Sequence, residues 1–317
     1  MTGETVLVTG GAGFIGATLV RTLVERGEVV RVLDDLSTGQ ASRLEGVDAE
    51  LVVADMRDRT TLDGALRGVG LVYHVAADPR VARSVEDPGH ALDNNVRGTL
   101  EVLSAARDAG VERVVYASSS AVYGDALTFP TREDADVART VSPYGVSKLA
   151  AEALCHSFTR VYDLPTVSLR YFNVYGPGQD IGTSYVVPRF FRALVTGDPI
   201  EIEGDGSQTR DFVHVEDVVE ATTLAARSGP ETFARSFNVG SGQRVGVLDI
   251  LDQLERITGA TRSEVTHLPP RVGDVHDTHA DLTNSRTALG YEPRYDLPTG
   301  LEATVAWLRE RLSRLES

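Results

Sequence analysis

Of the 31 lysine and arginine residues in this chain a single one is lysine, Lys148, and Tyr144 stands four residues before it in Ser142-Pro143-Tyr144-Gly145-Val146-Ser147-Lys148. On a helix, positions i and i+4 share a face, so phenol and ammonium can point into one site. Arginine is a poor replacement there. Its guanidinium is broad, planar and always charged, whereas lysine is a compact charge on a flexible stem. A cation beside the phenol favours phenolate and would draw the tyrosine pKa down from about 10 toward working pH. The pair would then act as a general base. Taken by itself the spacing also fits an ordinary surface pair, so the rest of the chain has to decide.

A second set of residues could hold a nucleotide. Thr9-Gly10-Gly11-Ala12-Gly13-Phe14-Ile15-Gly16 follows a strand-like run, Thr5–Thr9, and opens a helical pattern. Two glycine spacings are met at once, Gly10/Gly13/Gly16 and Gly11/Gly13/Gly16. Glycines here permit the tight turn, the close approach of backbone to a pyrophosphate and close helix–strand packing. The helix that follows offers free N–H groups and its positive dipole end to the anion. Asp34 ends the next strand-like run, with Asp35 beside it. An acidic residue there accepts hydrogen bonds from the adenosine ribose hydroxyls and repels a 2′-phosphate. The context points to NAD rather than NADP. A glycine turn serving packing alone would need none of it.

These residues need elements to hold them. Continuous valine-rich runs at Val6–Thr9, Val29–Asp34, Leu51–Asp55, Leu71–Ala77, Val114–Ser119 and Val167–Phe172 alternate with helical patterns such as Phe14–Glu25, Leu92–Ala109 and Tyr144–Val161. Unbroken apolar strands suit a parallel sheet covered on both faces, and the alternation predicts a doubly wound α/β fold. Past Gly178 the pattern changes. Helices near Val187–Thr196, Val215–Ala226, Val247–Ile257 and Leu301–Leu312 mix with short strands and Gly/Pro loops. We expect a nucleotide-binding domain over 1–178 and a smaller mixed α/β lobe over 179–317 that closes on its mouth, with a strand near 236–240 that could return to the first domain.

Bulk properties narrow the function. The net charge of −15 repels nucleic acid. Cys155 is the only cysteine, which excludes an internal disulfide and suits a reducing, cytoplasmic compartment. The first residues read as a strand rather than a signal peptide, and no apolar run approaches the roughly 20 residues of a membrane span. The histidines show no metal-ligand spacing; His276 and His279 are three apart without a supporting acidic or cysteine pattern, so no metal is expected.

At this point the chain resembles the extended short-chain dehydrogenase/reductase family, in its nucleotide-sugar epimerase/dehydratase branch. The resemblance spans essentially the whole chain. It rests on Val8–Gly16, His74-Val75-Ala76-Ala77, Asn94-Asn95-Val96-Arg97-Gly98-Thr99, Ser118-Ser119-Ser120-Ala121-Val122-Tyr123-Gly124, Tyr144–Lys148, Arg170–Pro177 and Arg271-Val272-Gly273-Asp274. It implies a Rossmann sheet with a substrate lobe, bound NAD and a UDP-sugar substrate. It implies that Ser119, Tyr144 and Lys148 form the catalytic set, Ser119 being placed by counting back from Val122-Tyr123-Gly124, with Ser118 and Ser120 as hydrogen-bonding neighbours. Gly10, Gly13, Phe14, Ile15, Gly16, Asp34 and Asp35 would hold the dinucleotide. Asp55 and Met56 would flank the adenine, and Ala76, Ala77, Asn95 and Phe172 would line the NAD site. Asn173, Arg210, Arg271 and Asp274 would hold the nucleoside diphosphate. Tyr123 and Tyr175 are expected to be packing residues. Helices Leu92–Ala109 and Tyr144–Val161 correspond to those that pair in the family's homodimers.

The resemblance also separates reactions. Dehydratases of the branch carry an Asp-Glu pair just after the catalytic hydroxyl residue, and decarboxylases a glutamate at the position of Ala121. This chain has Ser120-Ala121 there. A 4-epimerase needs no more than Ser119, Tyr144 and Lys148. UDP-glucose/UDP-galactose is the expected substrate pair. Thr278, four residues past Asp274, is small, which suits UDP-GlcNAc/UDP-GalNAc as well. UDP-glucuronate, with Arg189 or Arg192 on its carboxylate, another nucleotide-sugar dehydrogenase and a non-enzymatic NAD sensor are the alternatives.

Overall fold

Valine-rich runs become parallel strands and the amphipathic segments between them become crossover helices. The computed structural model describes residues 5–137, 139–182 and 185–316. In chain order it contains β1 (Thr5–Thr9), α1 (Phe14–Glu25), β2 (Val29–Asp34), β3 (Ala49–Val53), α2 (Arg59–Ala65), β4 (Val69–His74), α3 (Val81–Glu86), α4 (Pro88–Leu92), α5 (Gly98–Asp108), β5 (Arg113–Ser119), α6 (Pro143–Tyr162) and β6 (Thr166–Tyr171). There follow β7 (Asn173–Tyr175), α7 (Val186–Thr196), β8 (Ile200–Glu203), β9 (Thr209–Arg210), β10 (Phe212–His214), α8 (Val215–Arg227), β11 (Arg235–Val239), β12 (Val245–Gly246), α9 (Val247–Thr258), β13 (Val265–Leu268), α10 (Thr283–Leu289) and α11 (Leu297–Glu316).

The main sheet has seven strands in the order β11-β6-β5-β4-β1-β2-β3. All its pairings are parallel. The order reverses direction between β1 and β4. At such a switch point the loops leaving the carboxyl ends of the strands part and form a crevice. One face of the sheet is covered by a core that includes Leu19, Leu23, Val218 and Ala221 from α1 and α8. The other face carries Leu62, Val102, Cys155 and Phe158 from α2, α5 and α6. A third core, with Phe190, Phe191, Ile202, Ile250, Leu254, Leu301 and Leu308, belongs to the smaller lobe. Among the described residues no helix is long and apolar enough to cross a membrane.

Two expectations change. The stretch Leu92–Ala109 is not one helix but α4, a π-turn over Asp93–Arg97, and α5. Gly98 starts α5 against Met56, whose Cε lies 2.5 Å from where a Cβ would stand, so a larger residue there would push the methionine side chain aside. The second half of the chain is also not one lobe. Besides β11, which pairs along β6 as the strand near 236–240 that could return to the first domain, Val218, Ala221, Leu282, Leu289 and Tyr291 join the sheet core. Helix α8 buries an apolar stripe on the sheet, so a cut at one point in the sequence does not divide the cores.

A buried polar network locks α6 to the sheet. Arg170 on β6 pairs with Glu152 on α6 at 2.5 Å, with both side chains almost wholly buried. Ser118 Oγ on β5 donates to the same carboxylate at 2.8 Å. Arg170 also donates to the Tyr123 hydroxyl at 2.9 Å, which donates to Asn238 Oδ1 on β11 at 2.6 Å. Tyr123, expected to pack, is therefore also a relay of hydrogen bonds. Removing one partner of a buried pair leaves the other charge unsatisfied, at about 3–5 kcal/mol. Glu152→Ala is expected to lower the urea unfolding free energy by that amount, and a loss below about 1 kcal/mol, the surface-pair range, would contradict the role given to the pair.

Candidate active site

The crevice is a cavity of about 920 Å³ whose wall runs from the glycine turn past Ser119, Tyr144 and Lys148 to Arg210, Arg271 and Thr278. It adjoins a recess of about 710 Å³ that shares Glu203, Arg210, Arg271 and Asp274. These volumes suit a dinucleotide with a second, nucleotide-sized ligand.

At the cavity's first end, β1 runs into the glycine turn. Gly10 has φ +72°, and a Cβ there would stand 2.7 Å from the Ala76 backbone. A Cβ on Gly16 would stand 2.0 Å from the Gly10 carbonyl oxygen. Gly10, Gly13, Phe14, Ile15 and Gly16 all line the cavity. Gly13 caps α1 without a side chain, so the first amides of the helix are left for an anion. This bare-backbone cradle fits the pyrophosphate of NAD.

The turn is anchored from below. Thr9 Oγ1 contacts His74 Nδ1 at 2.7 Å, and His74 Nε2 contacts Thr99 Oγ1 at 2.8 Å. Thr99 donates its proton to the Asn95 carbonyl, so it accepts from Nε2–H, and Nδ1 accepts from Thr9. His74 is thus a neutral imidazole, and burial holds its pKa down at about 3. Asp34 braces the turn from above, accepting from Ala12 N and Leu36 N, each at 2.9 Å. Burial raises its pKa. Asp35 is exposed and accepts from Ser37. Both aspartates line the cavity.

Of the other residues expected at the cofactor, Met56, Ala76, Ala77 and Phe172 are in the wall. Two are not. The wall beside Met56 is Ala54, while the Asp55 carboxylate is taken by Arg57, which lowers its pKa. Asn94, not Asn95, faces the cavity. The Asn95 carboxamide is buried and binds Asp78 N, Asp78 O and Ser147 Oγ at 2.8, 3.2 and 2.9 Å. The π-turn has one more residue per turn than an α-helix would, which changes the side chain presented to the crevice.

Tyr144, Lys148 and Ser119 meet in the middle of the cavity. Ser142 caps α6, accepting from Gly145 N at 3.1 Å, and Pro143 occupies the first turn. Ser84 on α3 accepts from Tyr144 N at 3.1 Å; sixty residues upstream, it carries no local sequence signal. Ser119 ends β5 on the same wall, where its Oγ accepts from Ala121 N at 3.2 Å. The expected lowering of the phenol pKa by Lys148 does not occur. Burial pushes Tyr144 up to about 12, with Ser119 opposing. Burial pulls Lys148 down to about 7. Its Nζ donates to the Ala117 carbonyl at 2.8 Å and lies 5.1 Å above the Tyr116 ring, so the ammonium is directed to the β5 strand rather than the phenol.

At the far end, the lobe contributes Asn173, Arg210, Arg271, Asp274 and Thr278. Arg210 is buried and donates to the carbonyls of Thr209, Val275 and His276, and it pairs with Asp274 at 3.1 Å. Arg271 pairs with Glu203. Thr278 donates to Asn173 Oδ1 at 3.3 Å and accepts from Asp211 N at 3.0 Å. Sequence reasoning missed Glu203, Gln208, Arg80, Arg83 and Glu86 in the wall. Arg189 lines it too, but both its terminal nitrogens are on Glu203. Arg192 is exposed and outside the wall.

The lysine provides a pH test. Between pH 7 and 10.5 the unfolded chain holds a proton on Lys148 that the folded chain gives up. Stability therefore rises with pH across that interval. Lys148→Met is expected to flatten the rise in thermal midpoint, and equal slopes in wild type and variant would show that the lysine stays charged in the fold.

Known proteins place this arrangement. The model of the NAD dependent epimerase/dehydratase family matches residues 6–240. The chain is 40% identical to the UDP-glucose 4-epimerase of Mycolicibacterium smegmatis, over 96% of this chain and 98% of that one. The structure of a UDP-glucose 4-epimerase from Thermotoga maritima, with UDP-glucose, superposes with a TM-score of 0.92 at 36% identity, covering 97% and 99% of the two chains. A UDP-N-acetylglucosamine 4-epimerase from Methanobrevibacter ruminantium M1, in complex with UDP-N-acetylmuramic acid, gives 0.91 at 32% identity, covering 98% and 100%. On the family model and on relatives matched over nearly their whole length, this chain belongs to the NAD-dependent epimerase/dehydratase family.

Proposed function

We propose that the protein is a UDP-hexose 4-epimerase that keeps its NAD through the catalytic cycle. The observation that carries this reading is the Ser119, Tyr144 and Lys148 cluster, with Ser120 and Ala121 beside it in the wall and no acid or base at either position. Tyr144 takes the proton of the sugar 4-hydroxyl while Ser119 holds the same oxygen. Lys148 holds the nicotinamide ribose. Bound NAD supplies the hydride acceptor and, through its ring charge, a cation near the phenol. The cavity has room for the oxidised sugar to turn over, and Tyr144 would give the proton back to the same oxygen once the sugar presents its other face. Asp34 and Asp35 hold the adenosine ribose, Met56 and Ala54 the adenine, and Asn173, Arg210, Arg271 and Asp274 the UDP.

UDP-glucose and UDP-galactose are the primary pair. The small Thr278, pinned to Asn173, leaves room for the N-acetylated pair. A uronate is not favoured: both terminal nitrogens of Arg189 are engaged by Glu203, and Arg192 lies outside the wall. The compartment is the cytoplasm, where the buried thiol of Cys155 stays reduced. The assembly is a homodimer through α4–α6, where Leu92, Leu100 and Val146 are 41%, 39% and 44% exposed while Leu103 and Phe158 face inward.

Purified protein mixed with UDP-galactose, and separately with UDP-N-acetylgalactosamine, is expected to yield the 4-epimers by NMR without added NAD or NADH release. No conversion of either, with NAD added, would overturn the reading. Tyr144→Phe is expected to fold normally and lose about 10²–10⁴-fold in turnover; full turnover would remove the base assignment. Sedimentation of Leu100→Glu is expected to show monomer where wild type is dimer.

A further inference from the structure

Two carboxylates, Asp274 and Glu203, stand among the arginines at the place assigned to the diphosphate, and Glu203 is the more buried and is held by two of them. Glu203 ends β8 and lines both the cavity and the adjoining recess. Arg189, on α7, grips its two oxygens at 2.6 Å each. Arg271 reaches the same carboxylate from the opposite loop. These cations hold its pKa at about 2, so it stays charged at any working pH. Arg210 offsets that charge only in part, because its terminal nitrogens also hold three carbonyls and Asp274. One donor nearby lacks an acceptor: Arg189 Nε is buried without a hydrogen-bond partner.

A guanidinium fork meets carboxylate and phosphate oxygens in the same geometry. Glu203 therefore sits on the donors that a diphosphate would use, and its charge opposes the incoming one. We propose that Glu203 and Arg189 form a counterion gate on the diphosphate subsite: Glu203 holds Arg271 in place until a diphosphate takes that arginine over, and Arg189 then keeps Glu203 neutralised. Arg189 is thus a positioning residue that acts through Glu203, and Glu203 limits affinity. The limit suits a reversible isomerisation, in which substrate and product carry the same diphosphate and must both leave. The inference rests on the nucleotide-sugar reading above.

The test is calorimetric binding of UDP to the NAD-loaded protein, with thermal midpoints to check folding. Glu203→Gln keeps the shape and removes the charge; it is expected to bind UDP about tenfold more tightly, since like charges across a contact are strongly unfavourable. Arg189→Met leaves Glu203 poorly neutralised and is expected to bind about tenfold more weakly, with Arg189→Lys in between because it keeps the charge without the fork. Epimerisation by Glu203→Gln is expected to show a lower KM. Unchanged or weaker UDP binding by a folded Glu203→Gln, or unchanged binding by Arg189→Met, would overturn the gate. A wild-type protein that binds no UDP would instead remove the nucleotide-sugar reading itself.

Discussion

The buried pair of Glu152 and Arg170 sets the geometry on which the site depends. Glu152 lies one helical turn beyond Lys148 and two beyond Tyr144 on α6, and Arg170 lies on the strand next to the one that ends at Ser119. Because Ser118 joins the same carboxylate, the pair locks the rotation and height of α6 against β5 and β6 together. A slip of the helix by one residue would swing Tyr144 by about 100° and out of reach of Ser119. An apolar contact tolerates such a slip more readily than a two-oxygen ion pair does. The network continues through Tyr123 and Asn238 to the carbonyls of Thr131 and Asp281. It therefore also ties the catalytic strands to the segment that leads back from the lobe.

The charges in the crevice are arranged by the same logic of burial. The protein keeps His74 neutral under the glycine turn and holds Tyr144 protonated and Lys148 weakly charged in the middle. Each shift is dominated by desolvation. The three groups are therefore poised by their surroundings rather than by one another. At the far end the balance is reversed. Arginines outnumber carboxylates within reach of Glu203, and ion pairing outweighs burial in setting its charge. A dry, neutral middle and a charged end suit a ligand whose reacting carbon is uncharged and whose anchor is a diphosphate.

Much of this was readable from the residues. The glycine spacing, the aspartates after the second strand and the Tyr144–Lys148 pair are local patterns, each within one element or one turn. Local patterns survive folding because they are built from backbone geometry: α1 and β2 run over the residues the pattern assigned to them. The expectation that failed first was electrostatic. The i, i+4 spacing places Tyr144 and Lys148 on one face, but the direction of a long flexible side chain is settled by the nearest acceptor, here the Ala117 carbonyl on a distant strand. The Asn94–Asn95 exchange has the same character, since a π-turn shows no signature in the residue types of that segment.

By itself the sequence determined the α/β class and the glycine turn that opens α1, because each follows from steric properties of neighbouring residues, and it put Tyr144 and Lys148 on one helix face. Only the tertiary structure decided which charges meet. It returned α8 and α10 to the sheet, brought Ser84 under Tyr144 and set Glu203 between Arg189 and Arg271. Contacts between residues 60 or more apart depend on the sum of many weak packing terms, whereas the charge state of a buried group depends on the few atoms those terms bring against it.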